Sequence, residues 1–239
     1  MNQIPVNCAC VIHGNAYDWT YVDRMHSMLS RNLSRPIKLH VWTEASRPVP
    51  DHMIKHILEE WPGVAGPRRS WWYKMQMFNP DTFPGQLLYF DLDTVLVKSI
   101  DWILDCSPRY FWSIRDFKYL QRPDWQGMNS SVMYWNNTTH PYIWKQFLDN
   151  DPMEVIRRYP GDQDFLTEVV PTANLRFFNE SLVQSWRWQV NDGGMDLRTR
   201  TVRLPDAGAI LDENVSIVVF HGKPKPHDVQ DHKIVQHWV

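Results

Sequence analysis

Two carboxylates, Asp91 and Asp93, interrupt an otherwise apolar stretch in the middle of the chain. The stretch from Gln86 to Val97 predicts a buried strand, on which residues two apart point to the same face, about 6–7 Å from each other. Carboxylates at the end of such a strand are costly unless a cation compensates them. The pair therefore favours a site for Mn²⁺ or Mg²⁺, which prefer oxygen ligands. A simpler interpretation, two solvated aspartates at a strand end, fits poorly with apolar residues on both sides.

A second cluster of functional side chains, His221 to Pro226, follows the last apolar run of the chain. His221 is suited to complete a metal site, and Lys223 and Lys225 are suited to meet phosphate oxygens as point charges. Gly222 lets the backbone approach a ligand closely. Alone, this segment could be an exposed basic loop, but together with the carboxylate pair it favours a site for a metal ion and a diphosphate.

Two further segments carry polar side chains that are candidates for a functional site. Asp162 and Gln163 open a predicted helix after Gly161, although acidic residues in a first turn often only complement the helix dipole. Asn129 lies among small polar residues that enter a predicted strand, where amides and hydroxyls can contact a sugar. The Asn129 segment could equally be a turn.

Composition excludes several classes of protein. The 239 residues include 25 basic and 27 acidic ones, and the net charge of −2 disfavours a broad nucleic-acid-binding surface. No apolar run approaches the roughly 18 residues of a membrane span, and no amino-terminal signal peptide is readable. Three cysteines, Cys8, Cys10 and Cys106, form no disulfide framework, which indicates reduced thiols and a cytoplasmic setting.

Tryptophan is unusually frequent, with 13 residues. Its flat apolar ring packs well on sugar faces, but most tryptophans fill cores. Trp42, Trp112 and Trp135 lie on apolar strand runs and are predicted to be buried. Trp186 and Trp188 lie in a turn-rich stretch, and we expect at least one of them near an acceptor site.

Hydrophobic periodicity predicts an α/β chain that begins strand–helix–strand, the unit of a parallel sheet with a right-handed crossover. No linker divides the chain, so a single domain over 1–239 is expected. Strands are predicted at 9–12, 37–43, 86–97, 110–114, 130–135, 175–178 and 215–220. Helices are predicted at 18–33 (with Asp18 as its cap), 53–61, 70–77, 140–148, 153–158 and 162–169, and the stretch 185–203 is predicted to be irregular.

The order of these motifs resembles that of glycosyltransferases with the nucleotide-sugar-binding A-type fold. The resemblance is to glycosyltransferase family 8, which includes glycogenin and bacterial lipopolysaccharide galactosyltransferases, and it covers about residues 8 to 227. It rests on the metal-binding strand Leu88 to Val97, on Asn129 to Met133, on Asp162 to Leu166 and on Gly222 to Pro226. The family separates its metal-binding His from the Gly by two residues, whereas His221 directly precedes Gly222. The acidic residue that meets the base in the family is missing from the loop after the first strand.

The resemblance implies a mostly parallel central sheet flanked by helices, with a Rossmann-like nucleotide-binding half at about 1–125. The second half, about 126–239, would bind the sugar and the acceptor and end in a phosphate-contacting loop. The implied activity is metal-dependent transfer of a sugar from a nucleotide diphosphate sugar, with a UDP-sugar favoured, to a hydroxyl of a carbohydrate or glycoconjugate acceptor. Transfer would retain the anomeric configuration.

The resemblance also assigns roles to single residues. Asp91, Asp93 and His221 would hold Mn²⁺ or Mg²⁺, and Asp162 and Gln163 would be catalytic at the transferred sugar. Residues implied in binding the nucleotide or the donor are Tyr17 (stacking on the base), Lys74, Asp91, Asn129, Gly222, Lys223 and Lys225.

Two other functions compete with sugar transfer. The segment Asp91 to Val95 is similar to the first motif of haloacid-dehalogenase-type phosphatases, in which Asp91 would be the nucleophile, Asp93 the acid/base and Asp162 and Asp164 the magnesium ligands. That motif normally lies on the first strand of the chain, whereas about 80 residues precede it here. A non-catalytic sugar-binding module would explain the tryptophans but not a metal site with lysines.

Overall fold

The computed structural model describes residues 3–64, 69–191, 195–196, 201–202 and 208–239. Its strands, in chain order, are β1 (Val6–Val11), β2 (Ile37–Thr43), β3 (Ile54–Ile57), β4 (Gln86–Phe90), β5 (Thr94–Leu96), β6 (Phe111–Arg115), β7 (Met128–Asn136), β8 (Leu175–Phe177), β9 (Val183–Ser185), β10 (Met195–Asp196), β11 (Thr201–Val202) and β12 (Ile217–Val219). Seven of them form the central sheet, in the order β3-β2-β1-β4-β7-β6-β8.

Helices cover both faces of this sheet. The α-helices are α1 (Thr20–Asn32), α2 (Pro141–Asp149), α3 (Pro152–Arg158), α4 (Asp162–Val169) and α5 (His232–Val235). A 3₁₀ helix spans Ser70–Phe78, and a π-helical turn spans Trp186–Val190. Within the described ranges, every helix is too short or too polar to traverse a bilayer.

The central sheet is mostly parallel, as the sequence predicts. Strand β1 pairs in parallel with β2 and β4, β2 with β3, and β6 with β8. The exception is β7, which is antiparallel to both β4 and β6. Because β7 runs the opposite way, its first residues lie beside the carboxyl end of β4. A bulge in β7 opposite Ser113 and Ile114 moves residues 130–132 out of register with β6, as is common beside functional sites.

Alternating side chains of the sheet fill two separate cores. On β4, Leu88 and Phe90 join the core beneath α1, whereas Leu87 and Tyr89 join the core beneath the 3₁₀ helix, α2, α3 and α4. All four are buried. Leu87 to Phe90 is therefore apolar throughout because β4 is covered on both faces.

A second, three-stranded sheet attaches the carboxyl-terminal part of the chain to the end of β4. Strand β12 lies between β5, to which it is antiparallel, and β9, to which it is parallel. Val219 pairs with Thr94 of β5. This pairing brings the loop after β12 next to the residues between β4 and β5.

Three predictions about elements were wrong. Residues 53–61 form no helix, because the 54–57 segment pairs in parallel with β2 and completes the edge of the sheet as β3. Residues 86–97 are not one strand, because the chain turns between β4 and β5. The stretch 185–203 is not wholly irregular, since Trp186–Val190 is π-helical and 195–196 and 201–202 pair as β10 and β11; its remaining residues at 192–194, 197–200 and 203 lie outside the described ones.

Two predicted helix starts differ in detail. Helix α1 begins at Thr20, whose backbone N–H donates to Asp18 Oδ1 over 3.0 Å, so Asp18 acts just before the helix. The segment from Ser70 is a 3₁₀ helix and begins without a side-chain cap. Helix α4 begins at Asp162 and ends at Val169, as predicted.

Candidate active site

The two central aspartates lie on a tight turn at the carboxyl end of β4. Asp91 N–H donates to Ser131 O over 2.8 Å, and Thr94 N–H donates back to Asp91 O over 3.0 Å. Phe220 N–H donates to Asp93 O over 3.3 Å, which attaches the loop after β12 to the same turn. Since the chain turns here, Asp91 and Asp93 face different partners instead of sharing one strand face.

Asp91 is paired with a buried lysine. Its Oδ1 lies 2.9 Å from Lys74 Nζ and accepts a hydrogen bond of 2.5 Å from Tyr89 OH. Burial raises the pKa of Asp91, but the Lys74 ammonium and hydrogen bonds from Tyr89 and Ser131 outweigh burial and hold the pKa below its ordinary value. Asp91 is therefore a carboxylate with a permanent positive neighbour.

Lys74 also contacts the start of α4. Its Nζ lies 3.5 Å from Asp162 Oδ2 and donates to Ser130 Oγ over 3.1 Å. Burial alone would lower the pKa of Lys74, but Asp162 and Asp91 together raise it, so the lysine is charged. Burial raises the pKa of Asp162, and Lys74 and Ser130 only partly offset this. Asp162 Oδ2 is buried and has no hydrogen-bond partner.

Asp93 is held by groups from the two ends of the chain. Its Oδ2 accepts a hydrogen bond of 2.9 Å from Tyr17 OH and contacts Lys225 Nζ. Burial and the negative charge of Asp91 raise the pKa of Asp93, against the opposing effects of Lys225 and Tyr17. Because the carboxylate is costly to keep ionised here, this position favours a positive charge.

The loop after β12 reaches the site with Lys225 but not with Lys223. Gly222 adopts a φ of +82°, a conformation that favours glycine, and Lys223 is exposed beyond it. Lys225 N–H donates to Asp228 Oδ2 over 2.8 Å, which fixes the backbone of this residue. Of the two candidate lysines, Lys225 is the one brought onto the aspartate turn.

His221 lies in an aromatic setting beside this loop. Its Nε2 is 2.6 Å from Ser185 Oγ, its ring stacks on Phe117 with centroids 5.3 Å apart, and Trp188 packs edge-on against it. Burial, and then the nearby Arg187 guanidinium, lower the pKa of His221 to about 4. The imidazole is therefore neutral at physiological pH.

The predicted three-ligand metal site is not assembled as a cluster. Among the described residues, no three His, Cys, Asp or Glu side chains lie close enough to hold a metal ion. With two residues between the histidine and the Gly, the spacing of the family, the histidine would stand at position 219, where this chain has Val219, fully buried in β12. Asp91 and Asp93 share a turn, whereas His221 contacts Ser185.

Three other candidate residues have local partners. Asn129 Oδ1 accepts a hydrogen bond from Ser131 N–H over 3.0 Å, so this side chain shapes the start of β7. The Tyr17 ring packs on Tyr21 at 4.5 Å and its hydroxyl is bound to Asp93. Gln163 is half-buried on the first turn of α4.

The tryptophans divide only partly as predicted. Trp42 and Trp135 are buried, but Trp112 is half-buried, and its ring stacks on Phe178 with centroids 5.9 Å apart. Trp186 is buried and stacks on Phe220 at 4.9 Å. Trp188 is half-buried, so of the two it is the one available to an acceptor.

A carboxylate near the first strand was missed from the sequence. Glu44, at the end of β2, accepts hydrogen bonds from Gly14 N–H and from Thr43 Oγ1, and pairs with Arg47 at 2.9 Å. Burial raises the pKa of Glu44, but the hydrogen bonds from Arg47, Thr43 and Gly14 bring it down to about 2. The turn after β1 therefore has an acidic neighbour, supplied by β2 and not by the loop itself.

The side chains around Asp91 were missed as well. Tyr89 lies two residues before Asp91 at the end of β4, and a buried tyrosine in this position requires a hydrogen-bond partner, which was a readable signal. Ser130 gave no such signal, because its contact with Lys74 depends on the antiparallel placement of β7.

Comparison with solved structures shows the same fold in glycosyltransferases. The galactosyltransferase LgtC, in complex with donor and acceptor sugar analogs, is 12% identical with a TM-score of 0.58, over 92% of this chain and 89% of that one. The glycosyltransferase GlyE of Streptococcus pneumoniae TIGR4 is 13% identical with a TM-score of 0.61, over 98% of this chain and 60% of that one. Mouse xyloside xylosyltransferase 1 is 14% identical with a TM-score of 0.53, over 92% of this chain and 100% of that one.

Comparison at the level of sequence finds no match. No family model matches the chain, and no curated protein matches it. The predicted resemblance to the A-type glycosyltransferase fold is confirmed by the solved structures, including LgtC. At these identities the likeness establishes the fold, and the chemistry has to be argued from the residues of the site.

Proposed function

We propose that this chain is a glycosyltransferase that moves a sugar from a nucleotide diphosphate sugar to an acceptor hydroxyl. The observation that carries the proposal is the turn between β4 and β5, where Asp91 and Asp93 are each paired with a lysine, Lys74 and Lys225. The turn lies at the carboxyl end of the sheet, where open α/β sheets bind their ligands. Carboxylates and ammonium groups together suit a diphosphate and its counter-ion.

We propose that Mn²⁺ or Mg²⁺ binds at Asp91 and Asp93. The donor chemistry fits, because such a cation is commonly held by one or two carboxylates together with substrate phosphates and waters. The cation would supply Lewis-acid stabilisation of the departing nucleotide diphosphate. His221 as a third ligand stays a prediction, and a loss of Mn²⁺ affinity in His221→Ala would support it.

The residues of the chain would divide the remaining tasks. Lys225 would neutralise charge on the departing diphosphate, whereas Lys223 is exposed away from the turn and stays a prediction only. Lys74 would hold Asp91 and Asp162 at fixed positions. Asp162 and Gln163 would bind hydroxyls of the transferred sugar and stabilise positive charge at its anomeric carbon.

Base, sugar and acceptor contacts complete the proposal. Tyr17 would stack on the base of a UDP-sugar, and Asn129 and Gly222 would line the donor. A carbohydrate or glycoconjugate acceptor would approach past Trp188. For a retaining transfer, the departing phosphate oxygen accepts the proton of the acceptor hydroxyl, so no side chain is required as a base.

A cytoplasmic setting agrees with three free thiols, at Cys8, Cys10 and Cys106.

The competing functions have less support. A phosphatase nucleophile at Asp91 would have to attack while its Oδ1 is engaged by Lys74 and Tyr89. A sugar-binding module gives the paired aspartates and lysines no role. The fold is shared with glycosyltransferases, which favours neither alternative.

Hydrolysis and transfer assays test the proposal directly. The protein is incubated with a panel of nucleotide diphosphate sugars, with and without Mn²⁺, and release of the nucleotide is measured beside hydrolysis of p-nitrophenyl phosphate. We expect Mn²⁺-dependent nucleotide release, at least roughly a hundredfold loss in Asp93→Ala with the fold intact, and no loss in the exposed control Asp105→Ala. Phosphatase activity without donor turnover, or normal turnover in Asp93→Ala, would contradict it.

A further inference from the structure

The two lysines of the aspartate turn are held very differently. Lys74 is 7% exposed and contacts two carboxylates and a hydroxyl, those of Asp91, Asp162 and Ser130. The Lys225 side chain is 23% exposed and, within the described part of the chain, reaches one carboxylate, that of Asp93. Departure of Lys74 would leave two carboxylates without their counter-charge, whereas departure of Lys225 would leave only that of Asp93.

The ammonium group of Lys225 occupies a position built for a cation. It contacts Asp93 Oδ2, lies 3.5 Å from Phe220 O, and is 5.6 Å from the centroid of the Tyr17 ring. A carboxylate, a carbonyl oxygen and an aromatic face all attract positive charge. Any metal ion that binds Asp93 Oδ2 would meet this ammonium group, and the two positive charges would repel each other.

Only the side chain of Lys225 has to move to clear this position. Its backbone N–H is held by Asp228 Oδ2 at 2.8 Å, and Pro226 after it is buried. The Tyr17 hydroxyl donates to the same Oδ2 atom and stays behind as a neutral partner. A rotation about the side-chain bonds of Lys225 would therefore expose Asp93 without rearranging the loop.

We propose that Lys225 is a displaceable internal cation, which holds Asp93 in the ligand-free protein and moves to the diphosphate of the donor, so that a divalent cation binds Asp93 only together with a diphosphate. The proposal rests on the proposed function. It makes metal and nucleotide binding cooperative, because a diphosphate draws the competing ammonium group away from the metal ligand.

Manganese binding to the nucleotide-free protein tests this coupling. Binding of Mn²⁺ is followed by the electron paramagnetic resonance signal of the free ion, with and without UDP. We expect the wild-type protein to bind Mn²⁺ at least tenfold more tightly when UDP is present. Lys225→Met should bind Mn²⁺ at least tenfold more tightly than wild type without UDP. Because the phosphates of UDP also ligate the cation, UDP should still tighten Mn²⁺ binding in this variant, but by a smaller factor than in wild type.

Two further variants control for charge and shape. Lys145→Met removes one exposed positive charge from α2 and should leave Mn²⁺ affinity within twofold of wild type. Lys225→Arg keeps a positive charge on Asp93 and should bind Mn²⁺ as weakly as wild type without UDP. Circular dichroism of each variant confirms that it is folded.

The possible failures are distinguishable. Equal Mn²⁺ affinities for wild type and folded Lys225→Met without UDP would overturn the internal-cation proposal, as would tight binding by wild type that UDP does not change. Absence of Mn²⁺ binding even with UDP would overturn it together with the proposed metal. Sugar transfer is judged separately, by donor turnover, and would survive either result.

Discussion

Lys74 and Asp91 form an ion pair, with 2.9 Å between Nζ and Oδ1, in which the lysine side chain is buried (7% exposed) and the aspartate side chain is half-buried (24% exposed). The same ammonium group lies 3.5 Å from Asp162. One positive charge thus links the turn after β4 to the start of α4, the two segments to which sequence motifs assign the metal and the sugar. The geometry of both would change together if this lysine were lost.

Lys74→Met should be strongly destabilising. Removal of the ammonium group leaves the buried Asp162 and the half-buried Asp91 without a compensating charge, which typically costs about 3–5 kcal/mol. Urea denaturation of Lys74→Met measures this loss in the free energy of unfolding. The control Lys145→Met breaks an exposed pair with Asp149 and should cost at most about 0.5 kcal/mol. Similar losses in both variants would show that the pair of Lys74 and Asp91 has no special role.

Gln163→Ala and Asp162→Asn should lower kcat by at least tenfold, about 1.4 kcal/mol, with little change in the donor KM. The reason is that both would stabilise charge that develops mainly in the transition state. Steady-state kinetics on both variants checks this. Glu168→Gln, on the exposed side of the same helix, is the control and should turn over normally. If the two variants only unfold earlier, with normal kinetics, they are helix-start residues and the sugar assignment is wrong.

Trp42→Ala and Trp135→Ala should each cost about 3–5 kcal/mol of stability, because both indoles are fully buried in the core beneath the 3₁₀ helix and α2 to α4. Trp188→Ala should cost less, since its side chain is half-buried, and should raise the acceptor KM. Thermal unfolding and acceptor titration separate the two effects. An unchanged acceptor KM in Trp188→Ala would remove this residue from the acceptor site.

Stability should fall on acidification through the pair of His40 and His56. His40 Nδ1 lies 2.8 Å from His56 Nε2, and burial, then the neighbouring His56, lower the pKa of His40 from 6.5 to about 4. Between pH 6.5 and about pH 4, His40 is protonated in the unfolded chain but stays neutral in the folded protein. The free energy of unfolding therefore falls over this range. The expected loss from His40 over this whole range is about 3 kcal/mol.

Urea denaturation between pH 7 and pH 4.5 measures this dependence. His40→Gln should show a smaller fall in stability than wild type over that range. His232→Gln, which removes an exposed histidine at the start of α5, should keep the wild-type slope. A slope that is equal in wild type and His40→Gln would contradict the assignment.

Local sequence patterns predicted those elements whose own side chains determine them. Strand β2 and helix α4 have the predicted bounds, because each carries a clear apolar pattern. For residues 54–57 the apolar pattern gave the wrong prediction. Ile54 and Ile57 are exposed, and the segment is a strand because it pairs with the open edge of β2. Tertiary pairing decided this segment against its helical spacing.

The sequence predicted which residues belong to the site, but not which of them contact each other. Asp91, Asp93, Asp162 and Lys225 do converge, but the partner of each depends on the antiparallel course of β7 and on the second sheet. Lys225 was expected to contact a diphosphate, and its Nζ contacts Asp93. No spacing rule connects residues that lie so far apart along the chain.

The second sheet makes the site one of the last parts of the molecule that can form. Tyr17 reaches Asp93 across 76 residues of chain, and Lys225 reaches it across 132. Contacts between such distant residues close large loops, which is slow during folding. A chain truncated before β12 would keep the seven strands of the central sheet but lose Lys225. Binding of a nucleotide would then report that folding had extended past β12 to Lys225, whereas a measurement of secondary-structure content would not.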